Sequence, residues 1–205
     1  MTWGRCFKNE RVKTSMFFVL CGPSGVGKST LIRKVLEEKP GEVTHPVTYT
    51  TRALRPGEVQ GRDIRSIPRC DWTPRLTGKE YLASTVYQGE LYGTLKEDIL
   101  NPLLEGMRAI VAFDENGVDC VRESDIPAVY VYLIPNKIEQ LETWLLKRWP
   151  DGGPEFERRL LLAQQETQQF EDDPAFRAKF DYWIVSDDMD QMTHDMLEIM
   201  GFTRD

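Results

Sequence analysis

The chain has 205 residues, enough for one domain or for one core domain carrying small inserted parts. Hydrophobic residues at 40% and five tryptophans supply a sizeable core and exclude a disordered or fibrous chain. Thirty-three Asp and Glu against 26 Lys and Arg leave a net charge of −7, which argues against a wide nucleic-acid surface while leaving room for a local basic pocket.

In chain order, residues 1–15 mix charged residues with single aromatics and lack the apolar stretch of a signal peptide. They read as an N-terminal extension, or as sequence upstream of an internal start. Residues 16–21 form a continuous apolar run, the pattern of a strand buried on both faces of a parallel sheet. A glycine-rich turn follows. Over residues 28–38, Leu31, Ile32, Val35 and Leu36 recur at helical spacing, and Pro40-Gly41 stops the helix. Residues 47–105 break this rhythm. Pro56-Gly57, Gly61, Pro68, Pro74, Gly78, Gly89 and Gly93 separate short strand-like pieces at 80–83 and 85–87, which predicts an inserted subdomain of short strands and turns.

Further along, residues 108–113, 128–133 and 182–185 read as strands. Ile138, Leu141 and Leu145 share one helical face, as do Phe156, Leu160, Ala163 and Phe170, and a last helix covers 189–200. Residues 148–154 read as a flexible connection between two helices. Strands alternating with helices predict an α/β fold, a parallel sheet core flanked by helices. No apolar run approaches the length of a membrane span. Cys6, Cys21, Cys70 and Cys120 have neither CxxC spacing nor a metal-ligand pattern with His45 or His194, so they read as reduced thiols of a cytoplasmic protein.

Gly22, Pro23, Ser24, Gly25, Val26, Gly27, Lys28 and Ser29 fit the GxxxxGK[ST] phosphate loop in full, and Thr30 continues into the helix. The glycines let several backbone N–H groups converge on a phosphate, and the helix adds its free N–H groups and the positive end of its dipole. Lys28 would neutralise the β- and γ-phosphates of ATP, and the Ser29 hydroxyl is a hard oxygen ligand for Mg²⁺. The loop alone does not identify the acceptor, since kinases, GTPases, motors and helicases share it.

The segment from Thr50 to Asp63, Thr-Thr-Arg-Ala-Leu-Arg-Pro-Gly-Glu-Val-Gln-Gly-Arg-Asp, closely resembles the signature of guanylate kinases. The resemblance continues more thinly through Leu91-Tyr-Gly-Thr94, Phe113-Asp-Glu-Asn-Gly117, Arg158-Arg-Leu160 and Val185-Ser-Asp-Asp188, spanning most of the chain from residue 16 onward. It implies a P-loop fold with its core in 16–46, 106–146 and 159–205. It also implies a nucleoside monophosphate (NMP) binding subdomain at 47–105 and a lid at 147–158. By the same resemblance Arg52, Arg55 and Tyr92 grip the acceptor phosphate, and Arg148 and Arg159 reach the transferring phosphate as catalytic groups beside Lys28. Two arginines three apart in a turn suit such a clamp, because planar guanidinium groups bind phosphate in bidentate fashion. Thr48 and Thr94 could hydrogen-bond the acceptor's base. Asp114 could hold a water on Mg²⁺ or touch the base, or simply cap a helix.

Four positions depart from the family pattern. Ala83 stands where a glutamate usually accepts from guanine, Ala112 replaces an acid, Ile64 a phosphate-binding tyrosine, and Ser186 an asparagine used at the adenine. Glu90 is close enough in sequence to substitute as an acceptor, and a shifted alignment would bring Glu80 to the position of Ala83. The losses cluster on base recognition, which predicts a (deoxy)nucleoside monophosphate kinase with non-guanine or modified-base preference. Alternatives are a kinase of ribose 1,5-bisphosphate, a kinase of hydroxymethylated bases in DNA, and a silent guanylate kinase-like binding module. The expected partner is a small nucleotide, with no membrane. The oligomeric state stays open, a homodimer included.

Overall fold

The computed structural model describes residues 6–7, 17–55, 57–72, 81–87, 89–147 and 149–202. The expected parallel sheet is present. Strands β1 (Cys6–Phe7), β2 (Phe17–Cys21), β3 (Val43–Thr44), β8 (Arg108–Ala112), β9 (Val129–Pro135) and β10 (Tyr182–Ser186) pair in the order β1-β10-β9-β2-β8-β3. Every pairing is parallel except that of β1, which lies antiparallel on the β10 edge. A two-residue strand from within the extension thus covers one edge of the sheet.

Strand β2 is central and buried at all five positions, the physical basis of its unbroken apolar run. Its alternate side chains feed two cores. Phe18 and Leu20 face Leu31 and Val35 of α1 (Lys28–Glu38) and Met196 of α7 (Met189–Ile199). Phe17 and Val19 face the other layer, with Val118 of α3 (Glu115–Arg122), Phe170 of α5 (Pro154–Asp172) and Phe176 of α6 (Pro174–Arg177). Tyr132 stacks on Phe170 at 4.2 Å between ring centroids, fixing α5 against β9.

A second, four-stranded sheet lies entirely within residues 49–95. Its order is β5 (Arg65–Ser66), β4 (Tyr49–Thr50), β7 (Glu90–Leu95), β6 (Tyr81–Tyr87). It has its own small core of Tyr49, Trp72, Tyr81 and Leu95. The two short pieces expected at 80–83 and 85–87 are one strand, β6, with a register shift between Tyr81 and Ala83. Helix α2 (Lys96–Leu104) was not expected in this interval. It carries Pro102, a breaker in sequence terms, but Ile99 is fully buried and Glu97 and Asp98 favour its first turn. Helix α4 (Glu139–Leu146) buries Leu141 and Leu145, while Ile138 flanks its start and stays exposed. The connection expected at 148–154 already gives way to α5 at Pro154, which occupies the first helical turn where a missing N–H costs nothing. Among the described residues no helix is long and apolar enough to cross a membrane.

Candidate active site

The phosphate loop joins β2 to α1. Gly22 adopts φ +140°, and a side chain there would meet the Leu133 carbonyl oxygen at 2.4 Å, so the strand-to-loop crossing requires glycine. Gly27, at φ +97°, caps α1 in the left-handed region and leaves the helix N–H groups open to a ligand. Lys28 Nζ curls back to the Gly22 carbonyl at 2.5 Å and the Pro23 carbonyl at 2.9 Å, which keeps its ammonium over the loop. Ser29 is exposed and Thr30 half-buried in the first turn.

Three residues far along the chain brace this loop. Glu166 of α5 accepts a hydrogen bond from the Ser24 backbone N–H; burial raises its carboxyl pKa, and the Lys28 charge opposes that rise. Ser186 at the end of β10 is buried, and its hydroxyl donates to the Val26 carbonyl at 2.8 Å. Arg159, only 7% exposed, donates to Glu155 Oε1 at 2.5 Å, reaches Ser24 Oγ at 3.5 Å and lies over the Trp149 ring at 5.2 Å. Arg148 falls outside the described residues.

Arg52 and Arg55, the pair expected to grip the acceptor phosphate, lie in the turn after β4. Arg52 donates from Nη1 and Nη2 to the two carboxylate oxygens of Glu58, both at 2.7 Å, and the Tyr92 hydroxyl is another of its partners. Arg55 stands beside it. Burial and the nearby charges of Arg52 and Arg159 all lower the pKa of the Arg55 guanidinium, the electrostatic mark of cations converging on a place suited to an anion. Arg52, Arg55, Tyr92 and Arg159 are therefore brought together, with Arg159 linking them to Ser24 of the phosphate loop.

A family model for guanylate kinase matches residues 14–202. The chain is 35% identical over 181 residues to the guanylate kinase of Trichormus variabilis, covering 88% of this chain and 87% of that one. It is 32% identical to the guanylate kinase of Dechloromonas aromatica, over 89% of this chain and 87% of that protein. The crystal structure of the Anaplasma phagocytophilum guanylate kinase superposes with a TM-score of 0.70 at 22% identity, over 91% of this chain and 85% of that one, and so shares the fold.

The chain belongs to the guanylate kinase family. It is an enzyme, an ATP-dependent nucleoside monophosphate kinase.

Thr48 and Thr94, the two threonines expected from the sequence to contact a base, meet through their hydroxyls. Thr48 Oγ1 lies 3.3 Å from Thr94 Oγ1, and Thr94 is fully buried. The strand register sets Ala83 directly opposite Thr94 and Thr85 opposite Tyr92, on one face of the sheet. Glu80 is outside the described residues. Glu90 shares that face, but it sits four residues from Thr94 at the far end of β7, and its carboxylate accepts from the Thr51 hydroxyl. Strand geometry thus puts Glu90 beyond Tyr92, away from Thr94, and it does not replace an acceptor at Ala83. Ala112 is half-buried at the end of β8, and Ile64 is buried at 7% exposure. Asp114 caps α3, its Oδ1 accepting from the Gly117 N–H at 2.8 Å, so its capping role is realised.

Sequence reasoning missed Glu58, Glu155 and Glu166, all of which organise cations or backbone of the site. Glu58 was visible inside the signature as the acid three residues after Arg55. Glu155 and Glu166 carried no pattern of their own.

Proposed function

We propose that this chain transfers the γ-phosphate of ATP to GMP or dGMP. The observation that carries this reading is the convergence of Arg52, Arg55 and Arg159 beside a complete phosphate loop. In this reading residues 47–105 form the acceptor-binding subdomain and residues 147–158 the lid, with the core in 16–46, 106–146 and 159–205.

ATP fits the loop's chemistry: the glycine-held cradle presents N–H groups, and Lys28 already places its ammonium over them. Ser29, whose hydroxyl is exposed at the start of α1, would hold Mg²⁺ through a hard oxygen ligand. Bound there, the ion would neutralise charge on the β- and γ-phosphates. Arg52, Arg55 and Tyr92 hold the acceptor phosphate so that one of its oxygens attacks the γ-phosphorus in line. The bond from that phosphorus to the β–γ bridging oxygen breaks, and ADP leaves. The acceptor's own oxygen is the nucleophile, so no protein nucleophile or general base is required. Arg159, with Arg148 in the lid, stabilises the charge that shifts during transfer. Closure of the acceptor subdomain and the lid over the bound substrates would exclude water and align the phosphates.

A second reading concerns the base. Ala83 opposite the buried Thr94 leaves a hydroxyl pair where a carboxylate would accept from guanine N1–H and N2, which favours relaxed or altered base preference. The curated relatives are named guanylate kinases, so neither the sugar-phosphate kinase nor the silent module has support among them.

A coupled ADP-release assay over ribo- and deoxynucleoside monophosphates, hydroxymethylated pyrimidine monophosphates and ribose 1,5-bisphosphate tests both readings. GMP or dGMP as the best acceptor is the expected result. A clear preference for another monophosphate would replace it with the second reading, and no turnover with ATP still bound would overturn the kinase assignment.

A further inference from the structure

The Arg52 guanidinium has five N–H groups, and the protein has chosen which of them to use. Nη1 and Nη2 each donate to one oxygen of Glu58 at 2.7 Å, an end-on fork, and Nη1 also donates to the Ala53 carbonyl at 2.8 Å. These three bonds leave one edge of the plane: the Nε–H and the second hydrogen of Nη2. The Nε atom is buried without a partner among the described residues, and the Tyr92 hydroxyl is a further hydrogen-bond partner of the same guanidinium. A buried donor left unpaired is costly unless a ligand completes it.

Glu58 is itself fixed from two sides. Its backbone N–H donates to the Arg55 carbonyl at 3.0 Å, and its Oε2 accepts from the Arg55 backbone N–H at 2.8 Å. One carboxylate therefore ties the backbone of Arg55 to the side chain of Arg52. It also places a negative charge beside Arg52 and Arg55, whose charges, with that of Arg159 acting on Arg55, otherwise repel before any anion arrives. The Glu58 side chain is 21% exposed, so this pair is partly withdrawn from solvent screening.

We propose that Glu58 is the positioning residue of the acceptor-phosphate clamp: it turns the Nε–Nη2 edge of Arg52 toward the acceptor and holds the arginine cluster assembled in advance of the phosphate. This rests on the reading of Arg52 and Arg55 as that clamp. Glu58 acts through Arg52 and touches no reacting atom.

Steady-state kinetics with the best acceptor of the panel, on Glu58→Ala, Glu58→Gln, Arg52→Ala and the Arg52→Ala/Glu58→Ala double variant, tests it. Glu58→Ala is expected to raise the acceptor KM by about tenfold or more while the ATP KM stays within about twofold. Glu58→Gln retains one acceptor oxygen and is expected to fall between wild type and Glu58→Ala, which keeps the test alive if the alanine variant folds poorly. In the Arg52→Ala background, removing Glu58 is expected to add less than about twofold, because its partner is already gone. Equal rises in both KM values, an unchanged acceptor KM in both Glu58 variants, or full additivity with Arg52→Ala overturns the proposal. An unchanged acceptor KM in Arg52→Ala alone sinks the clamp reading instead, so the two failures are distinguishable.

Discussion

The phosphate loop presents the backbone of eight consecutive residues, whereas the proposed base end of the acceptor site presents side chains from separate strands. At Gly22 a single added carbon would strike the Leu133 carbonyl, so that position admits only glycine. Around Thr94, by contrast, the ladder fixes only that residue 83 pairs in register with Thr94, and leaves the chemistry of its side chain open. A backbone cradle constrains sequence through geometry, while a side-chain pocket can change its chemistry one residue at a time. Between these two ends lies the proposed arginine clamp. Its two arginines are local in sequence like the loop, yet both bond to the carboxylate of Glu58, Arg52 through its side chain and Arg55 through its backbone N–H.

The largest expected break in this comparison comes from Lys28→Ala, which removes the ammonium over the loop. A loss of about 10²–10³-fold in kcat is expected, with an unchanged melting temperature, read by ADP release and thermal denaturation. A variant that keeps its turnover would show that the loop does not hold the transferred phosphate.

Ala83→Glu restores an acceptor opposite Thr94. The ratio of kcat/KM for GMP over AMP is expected to rise by about tenfold or more, because a carboxylate discriminates by pairing with guanine's donors. An unchanged ratio would place base selection elsewhere.

Ser186→Ala probes how far the donor loop relies on distant support. It strips the hydrogen bond to the Val26 carbonyl, and a stability loss of about 1 kcal/mol is expected in denaturant titration, without change in the acceptor KM.

The smallest effects are those of pH, and the carboxylate of the clamp and the carboxylate under the loop carry opposite signs. Glu58 is held below its ordinary 4.5 by its hydrogen bonds from Arg52, so its stabilisation is full above 4.5 and disappears as pH falls through the lowered value. Glu166 is held above its ordinary 4.5 by burial. Its contribution is full below 4.5 and is lost as pH rises through the raised value. Melting curves against pH should therefore lose part of their acid limb's slope in Glu58→Gln, and gain stability toward neutral pH in Glu166→Gln. The same shift in both variants would contradict the assignment of opposite environments.

Much of this was written in the sequence. The phosphate loop, the buried strand β2, helix α1 and the pair Arg52–Arg55 are all defined by residues within a few positions of one another, so local spacing carries their geometry. Tertiary structure alone decided the rest. It set Glu166 and Ser186 beneath a loop some 140 to 160 residues earlier in the chain. It brought Arg159 against Ser24, and it joined Thr48 to Thr94 across a sheet. It also placed Glu90 at the wrong end of β7 to serve a base, although its sequence distance from Thr94 is short. Strand register and the packing of α5 on the sheet fix these positions. Both depend on pairings between distant segments, and composition and periodicity describe only neighbours along the chain.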